Sequence, residues 1–127
     1  MCIRDSLVSD DQLAKVSGFL DSGREEGAKI VTGGRREGDR GYFFQPTVIA
    51  DTRPDMRVVK EEIFGPVVVA APFESMDEIA AAANDSPYGL GAGIWTTDIS
   101  QAHALAKKLK AGTVWINCYN CLLYTST

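Results

Sequence analysis

The chain has 127 residues, which is room for one modest domain. Apolar residues make up 45% and charged residues 24%, so a folded core is expected and a disordered chain is not. Thirteen basic against seventeen acidic side chains leave a net charge of -4, which argues against nucleic acid as a partner. No apolar run approaches the roughly 18 residues of a membrane span, and the N-terminus has no apolar signal-peptide stretch. The expectations are no membrane partner and a cytoplasmic location.

The two ends stand apart. Residues 1–6 read MCIRDS and residues 121–126 read CLLYTS. With suitable codons they back-translate to ATG TGT ATA AGA GAC AG and TGT CTC TTA TAC ACA TCT. The second is the reverse complement of the first over their shared length. Residues 1–6 and 121–127 are therefore expected to be adapter-derived and non-native, leaving 7–120 as the natural part. Cys2 and Cys121 fall within those ends, so Cys118 is the one natural cysteine. A single cysteine with a single, distant histidine, His103, supports neither a disulfide framework nor a metal site.

Asp10 or Asp11 can cap a helix running to about Glu26, with Leu13, Val16 and Leu20 on one apolar stripe and Phe19 beside it. Gly27 closes it. Residues 29–32 form a short strand ended by Gly33-Gly34, and 35–41 an exposed polar turn. Residues 42–50 are apolar and extended, interrupted by Pro46, which disfavours a central ladder position. A loop over 51–57, with room for a helical turn, leads to KEEIFGPV at 60–67. Residues 67–71 read as a buried strand.

Ser75 and Glu78 fit a capping box for a helix that ends near Asn84, ahead of Pro87. Residues 89–95 make a glycine-punctuated strand. Asp98 caps the next helix, whose apolar face carries Ile99, Ala102, Ala106 and Leu109. Lys107, Lys108 and Lys110 form a solvated C-terminal end, and Gly112 is placed at C′. Residues 113–116 are β-branched and aromatic, hence another strand. The alternation is that of an α/β fold with a mostly parallel sheet and flanking helices, left incomplete because the last strand has no return or cover. Trp95 and Trp115 are expected in core or interdomain packing, Met56 and Met76 as gap-filling or boundary residues, and His103 as a partly exposed helix residue.

Within KEEIFGPV, Glu61 and Glu62 are adjacent carboxylates that point in different directions on most backbones. One can be solvated while the other meets a ligand. Phe64 offers a flat face, Gly65 permits close approach, and Pro66 stiffens the entry to a strand. A carboxylate and an aromatic two residues apart can hold a ribose diol and stack on a flat ring. A charged turn before a core strand, with Phe64 as ordinary packing, accounts for the same residues.

The octet resembles the signature of the aldehyde dehydrogenase superfamily, which oxidises aldehydes to carboxylic acids with NAD or NADP. Before it, Gly27-Ala28-Lys29 with Thr32-Gly33-Gly34, and then GYFFQPT at 41–47, are similar to the family in order and spacing. After it, NDSPYGLGA at 84–92 and GTVWIN at 112–117 are similar too. The resemblance covers about 7–120 and implies that this stretch is part of an aldehyde dehydrogenase catalytic domain.

The resemblance implies that Glu62 binds the nicotinamide-side ribose hydroxyls and that Phe64 lies against the nicotinamide. It places Gln12 and Lys15 at the adenosine-side ribose, and residues 117–120 near the loop lining the substrate tunnel. Cys118 lies too late in the pattern to be the nucleophile. The family's nucleophilic cysteine, general-base glutamate, oxyanion-hole asparagine and phosphate-binding turn lie upstream and have no counterpart here. The chain is thus expected to carry no catalytic residue and to be inactive alone, with the thiohemiacetal and thioester forming on a cysteine it lacks. The implied parent takes a small-molecule aldehyde, with a lean towards aromatic, retinal or betaine-type aldehydes, uses NAD or NADP, and assembles as a homodimer or homotetramer. An inactive or structural member of the same fold family, and a stand-alone small α/β binding module, are the alternatives.

Overall fold

The computed structural model describes residues 6–119; the expectations for residues 1–5 and 120–127 lie outside them. The elements are α1 (Asp10–Glu25), β1 (Lys29–Thr32), β2 (Thr47–Ala50), α2 (Arg57–Lys60), β3 (Val67–Val69), α3 (Met76–Asn84), β4 (Gly91–Ile94), α4 (Ile99–Lys108) and β5 (Thr113–Ile116). They fall into two compact units divided between Pro72 and Phe73. No helix among the described residues is long and apolar enough to cross a membrane.

In the first unit α1 starts one residue earlier than an Asp10 cap, and two earlier than an Asp11 cap, would place it. Ser9 is the cap, and its Oγ accepts the Gln12 N–H at 3.2 Å. Asp10 and Asp11 occupy the first turn, where their charge meets the positive end of the helix dipole. The stripe of Leu13, Val16, Phe19 and Leu20 is buried, as its spacing predicts. It packs with Ala28, Phe44, Ile49, Met56 and Val58 into one core. Burial of each large apolar side chain contributes about 1.5–3 kcal/mol before entropy is counted. Met56 is fully buried in this core and not at its boundary; its Sδ also accepts the Arg53 N–H at 3.4 Å.

The sheet of this unit has the order β1-β2-β3. β1 runs antiparallel to β2, and β2 parallel to β3, with Thr47 opposite Val67 and Ile49 opposite Val69. Pro46 sits just before β2, so no ladder bond is lost to it. The strand expected over 67–71 is shorter and is not buried throughout. Val67 and Val69 pack against the core, whereas Val68 is 56% exposed, because alternate side chains of an edge strand face opposite ways. Ser6 bridges to Phe43, and the Leu7 N–H donates to the Tyr42 carbonyl at 2.7 Å.

In the second unit β4 and β5 are parallel, with Gly91 opposite Thr113 and Ile94 opposite Ile116, and α4 forms the connection. Ser75 caps α3 through the Glu78 N–H at 3.1 Å, but the returning Glu78 carboxylate takes the N–H of Glu74, not that of Ser75. Asp98 caps α4 by accepting from Ser100 and Gln101. Gly112 is not at C′. Leu109 is the C-cap in extended conformation, Asn84 accepts the Lys110 N–H at 2.7 Å, and Gly112 serves the turn into β5 by donating to Gly89 O. The lysine end of α4 is not simply solvated either, since the Lys108 ammonium pairs with Asp77 of α3. Trp95 is not a core residue: it is 63% exposed, with its ring over Gly93, where an added Cβ would approach it to 2.6 Å. Trp115 covers Gly91 in the same way and stacks at 57° on Tyr119, centroids 4.8 Å apart. His103 is exposed.

Candidate cofactor-facing site

The site is built on the return of the chain from α2 to β3. α2 ends because Glu61 is extended, at φ -105 and ψ 149. From there the chain runs without regular structure to Val67 and is fastened on both sides. The Gln12 side-chain amide on α1 donates to the Phe64 carbonyl at 2.8 Å. The Thr47 N–H of β2 donates to the Pro66 carbonyl at 2.8 Å. Between them, Gly65 lies so near α1 that a Cβ would come within 2.7 Å of Val16 Cγ2, which is why this position requires glycine.

The anchoring leaves Phe64 72% exposed at the edge of an open cleft of about 720 Å³. Gln12, Thr32, Gly65, Pro66 and Val68 also line that cleft. Ile63, on the other hand, turns into the core. Among the described residues Phe64 is thus packed into no core, and its ring face lies open beside the cleft.

Of the four residues singled out in the sequence, Gln12 and Phe64 are brought together directly. Glu62 is exposed two residues before Phe64 but does not line the cleft. Lys15 is exposed on α1, three residues after Gln12 and so on a neighbouring face, and also lies outside the cleft lining. At the other end of the chain, the turn after β5 is set by Asn117, at φ 54, whose Oδ1 accepts the Thr96 N–H at 2.9 Å. Cys118 follows, half-buried, and residue 120 is outside the described residues. Among the described residues no cluster of His, Cys, Asp or Glu could hold a metal ion.

One participant was passed over in the sequence. The Arg57 guanidinium stacks 4.1 Å from the Phe19 ring centroid and pairs through Nε with Glu61 Oε1 at 3.0 Å. The Arg57 backbone N–H donates to Glu26 Oε2 at 3.2 Å, and the other oxygen of Glu26 accepts from Ser22 at 2.6 Å. The spacing of four between Arg57 and Glu61 was the available signal.

A profile of the aldehyde dehydrogenase family matches residues 4–125. The chain belongs to the aldehyde dehydrogenase family. It is 50% identical over 113 residues to the mitochondrial aldehyde dehydrogenase of Equus caballus, covering 89% of this chain and 23% of that protein. The NAD+ complex of the aldehyde dehydrogenase of Bacillus cereus superposes with a TM-score of 0.89 at 52% identity, over 92% of this chain and 24% of that one. The betaine aldehyde dehydrogenase P449M variant of Staphylococcus aureus, also an NAD+ complex, gives 0.87 at 40% identity, over 95% and 26%. The chain thus spans about a quarter of the length of these family members, and its α/β architecture is theirs.

Proposed function

We propose that this chain is the cofactor-positioning part of an NAD(P)-dependent aldehyde dehydrogenase that converts an aldehyde to a carboxylic acid. The observation that carries the reading is the Gln12–Phe64 hydrogen bond, which presents an aromatic face beside an open cleft, with the Glu62 carboxylate two residues away. The donor set fits the cofactor. A carboxylate accepts both hydroxyls of a ribose, and an exposed ring covers one face of a nicotinamide. When bound, the nicotinamide supplies hydride acceptance. Glu62 and Phe64 would hold and orient it, with Gln12 and Lys15 towards the adenosine end. NAD is favoured over NADP by the NAD+ complexes among the relatives. The cysteine nucleophile, the general base and the oxyanion hole would come from outside this chain, as would most of the aldehyde tunnel. A cytoplasmic homodimer or homotetramer is the assembly in keeping with this reading.

The test uses the full-length enzyme that contains this segment. Glu62→Gln keeps the shape and removes the charge, and a charge-assisted bond is worth about 1.5–3 kcal/mol, or roughly 10- to 150-fold. NAD affinity, or single-turnover hydride transfer, should fall by that order with the fold intact, and Glu61→Gln should do much less. Wild-type values for Glu62→Gln would remove the assignment, and a large effect confined to Glu61→Gln would shift it by one residue. Residues 7–120 alone, given NAD and a panel of aldehydes, should form no NADH above a heat-treated control.

A further inference from the structure

Adjacent residues on an extended backbone project to opposite sides, so a restraint on Glu61 also restrains the direction of Glu62. Glu61 is restrained. It is extended, its N–H donates to the Arg57 carbonyl at 3.0 Å, and its carboxylate meets Arg57 Nε at 3.0 Å. Arg57 is itself fixed at three points: the Phe19 ring under the guanidinium, the Glu26 carboxylate on its N–H, and the α2 turn that carries it. Glu26 is held in turn by Ser22, one turn back on α1. A connected chain of contacts therefore runs from α1 through Arg57 to the residue preceding Glu62.

We propose that Arg57 is a positioning residue for cofactor binding: by clamping Glu61 against α1 it directs Glu62 away from α1 and towards the nicotinamide-side ribose. This rests on the reading of Glu62 given above. Both members of the pair are about half exposed, so the effect is modest.

The experiment is a double-mutant cycle in the full-length enzyme, with Arg57→Gln, Glu61→Gln and the double variant, alongside Arg57→Lys and Glu62→Gln. The expected result is a rise of about two- to fivefold in KM and Kd for NAD in Arg57→Gln and in Glu61→Gln, with KM for the aldehyde unchanged. The double variant should be no worse than either single one, because both remove the same clamp. Arg57→Lys, which keeps a cation four residues from Glu61, should recover most of the affinity. Additive effects in the double variant, or a wild-type KM for NAD in Arg57→Gln, would overturn the proposal. A parallel loss of thermal stability, kcat and both KM values, not recovered by lysine, would overturn it in favour of a purely structural role. If Glu62→Gln leaves NAD binding intact, the reading beneath it falls and the positioning role with it. If Glu62→Gln weakens binding while Arg57→Gln does not, the positioning role alone is lost.

Discussion

Thr47 ties Gly34 to β2 through a single hydroxyl: its Oγ1 accepts the Gly34 N–H at 2.8 Å and donates to the Gln45 carbonyl at 2.7 Å. Thr47 is only 2% exposed, so water cannot replace either bond. Thr47→Val preserves the shape and leaves a buried donor without its partner, at a cost of about 1–3 kcal/mol. The full-length protein carrying it should unfold at a lower temperature, while Thr47→Ser should lose less. Equal melting of Thr47→Val and wild type would show that the hydroxyl does not bear on stability.

Two glycines should respond to alanine with opposite signs. Gly33 has φ +72, and a Cβ there would fall 2.3 Å from the Pro46 carbonyl oxygen. Gly33→Ala combines a left-handed backbone, about 1–2 kcal/mol for a residue with a Cβ, with a backbone collision that only a shift of β2 can relieve. Its loss of stability should exceed that of Thr47→Val. Gly18 is exposed inside α1, with nothing within 4 Å of an added Cβ. Gly18→Ala should raise stability by about 0.5–1 kcal/mol by removing backbone freedom from the unfolded chain. Thermal melts of the two variants beside wild type decide both signs at once.

The Asp77–Lys108 pair joins α3 to α4, and the lysine's hydrogen bond and charge hold the Asp77 carboxyl below its ordinary value of 3.8. A carboxyl whose folded-state pKa is depressed adds stability above the unfolded value and loses it as pH falls through the folded one. The contribution should therefore be constant at neutral pH and fade below about pH 3.8. Asp77→Asn should melt slightly below wild type at pH 7, and the gap should close in acid. Both groups are solvent-accessible, so added salt should narrow the gap at any pH. A gap that survives both treatments would mean that charge is not its source.

Elements whose determinants are local were readable in the sequence. The apolar stripe of α1, the Asp98 cap and the β-branched run of β5 each carry their signal within a few residues. The readings that missed depended on distant neighbours. Ser9 outcompeted Asp10 and Asp11 because a cap is chosen by where the chain turns, and both aspartates serve equally well in the first turn. Val68 faces outward because it alternates with Val67 and Val69 and only their face of β3 is packed against the core, which a run of three valines cannot reveal. Gly112 is not at C′ because α4 stops earlier, with Leu109 as C-cap and the following N–H, that of Lys110, taken by Asn84, which lies 26 residues before Lys110. At the candidate site, KEEIFGPV could be picked out by its composition. That Gln12 would hold the Phe64 carbonyl depended on α1 packing against the segment that follows α2, whereas the Arg57–Glu61 pair, four residues apart, was local and legible.

Both tryptophans of the chain, Trp95 and Trp115, lie after Phe73, one with its indole largely in water and the other half-covered beside Tyr119. Indole emission from this chain is therefore silent on α1, β1, β2, α2 and β3, where the residues proposed to meet the cofactor reside. Circular dichroism weights the chain differently, since α1 is its longest described helix at 16 residues. Emission follows the β4–β5 unit and circular dichroism the helices of both units, so diverging curves in one melt would mean that the two units are lost separately. Coincident curves would mean that the two halves unfold together.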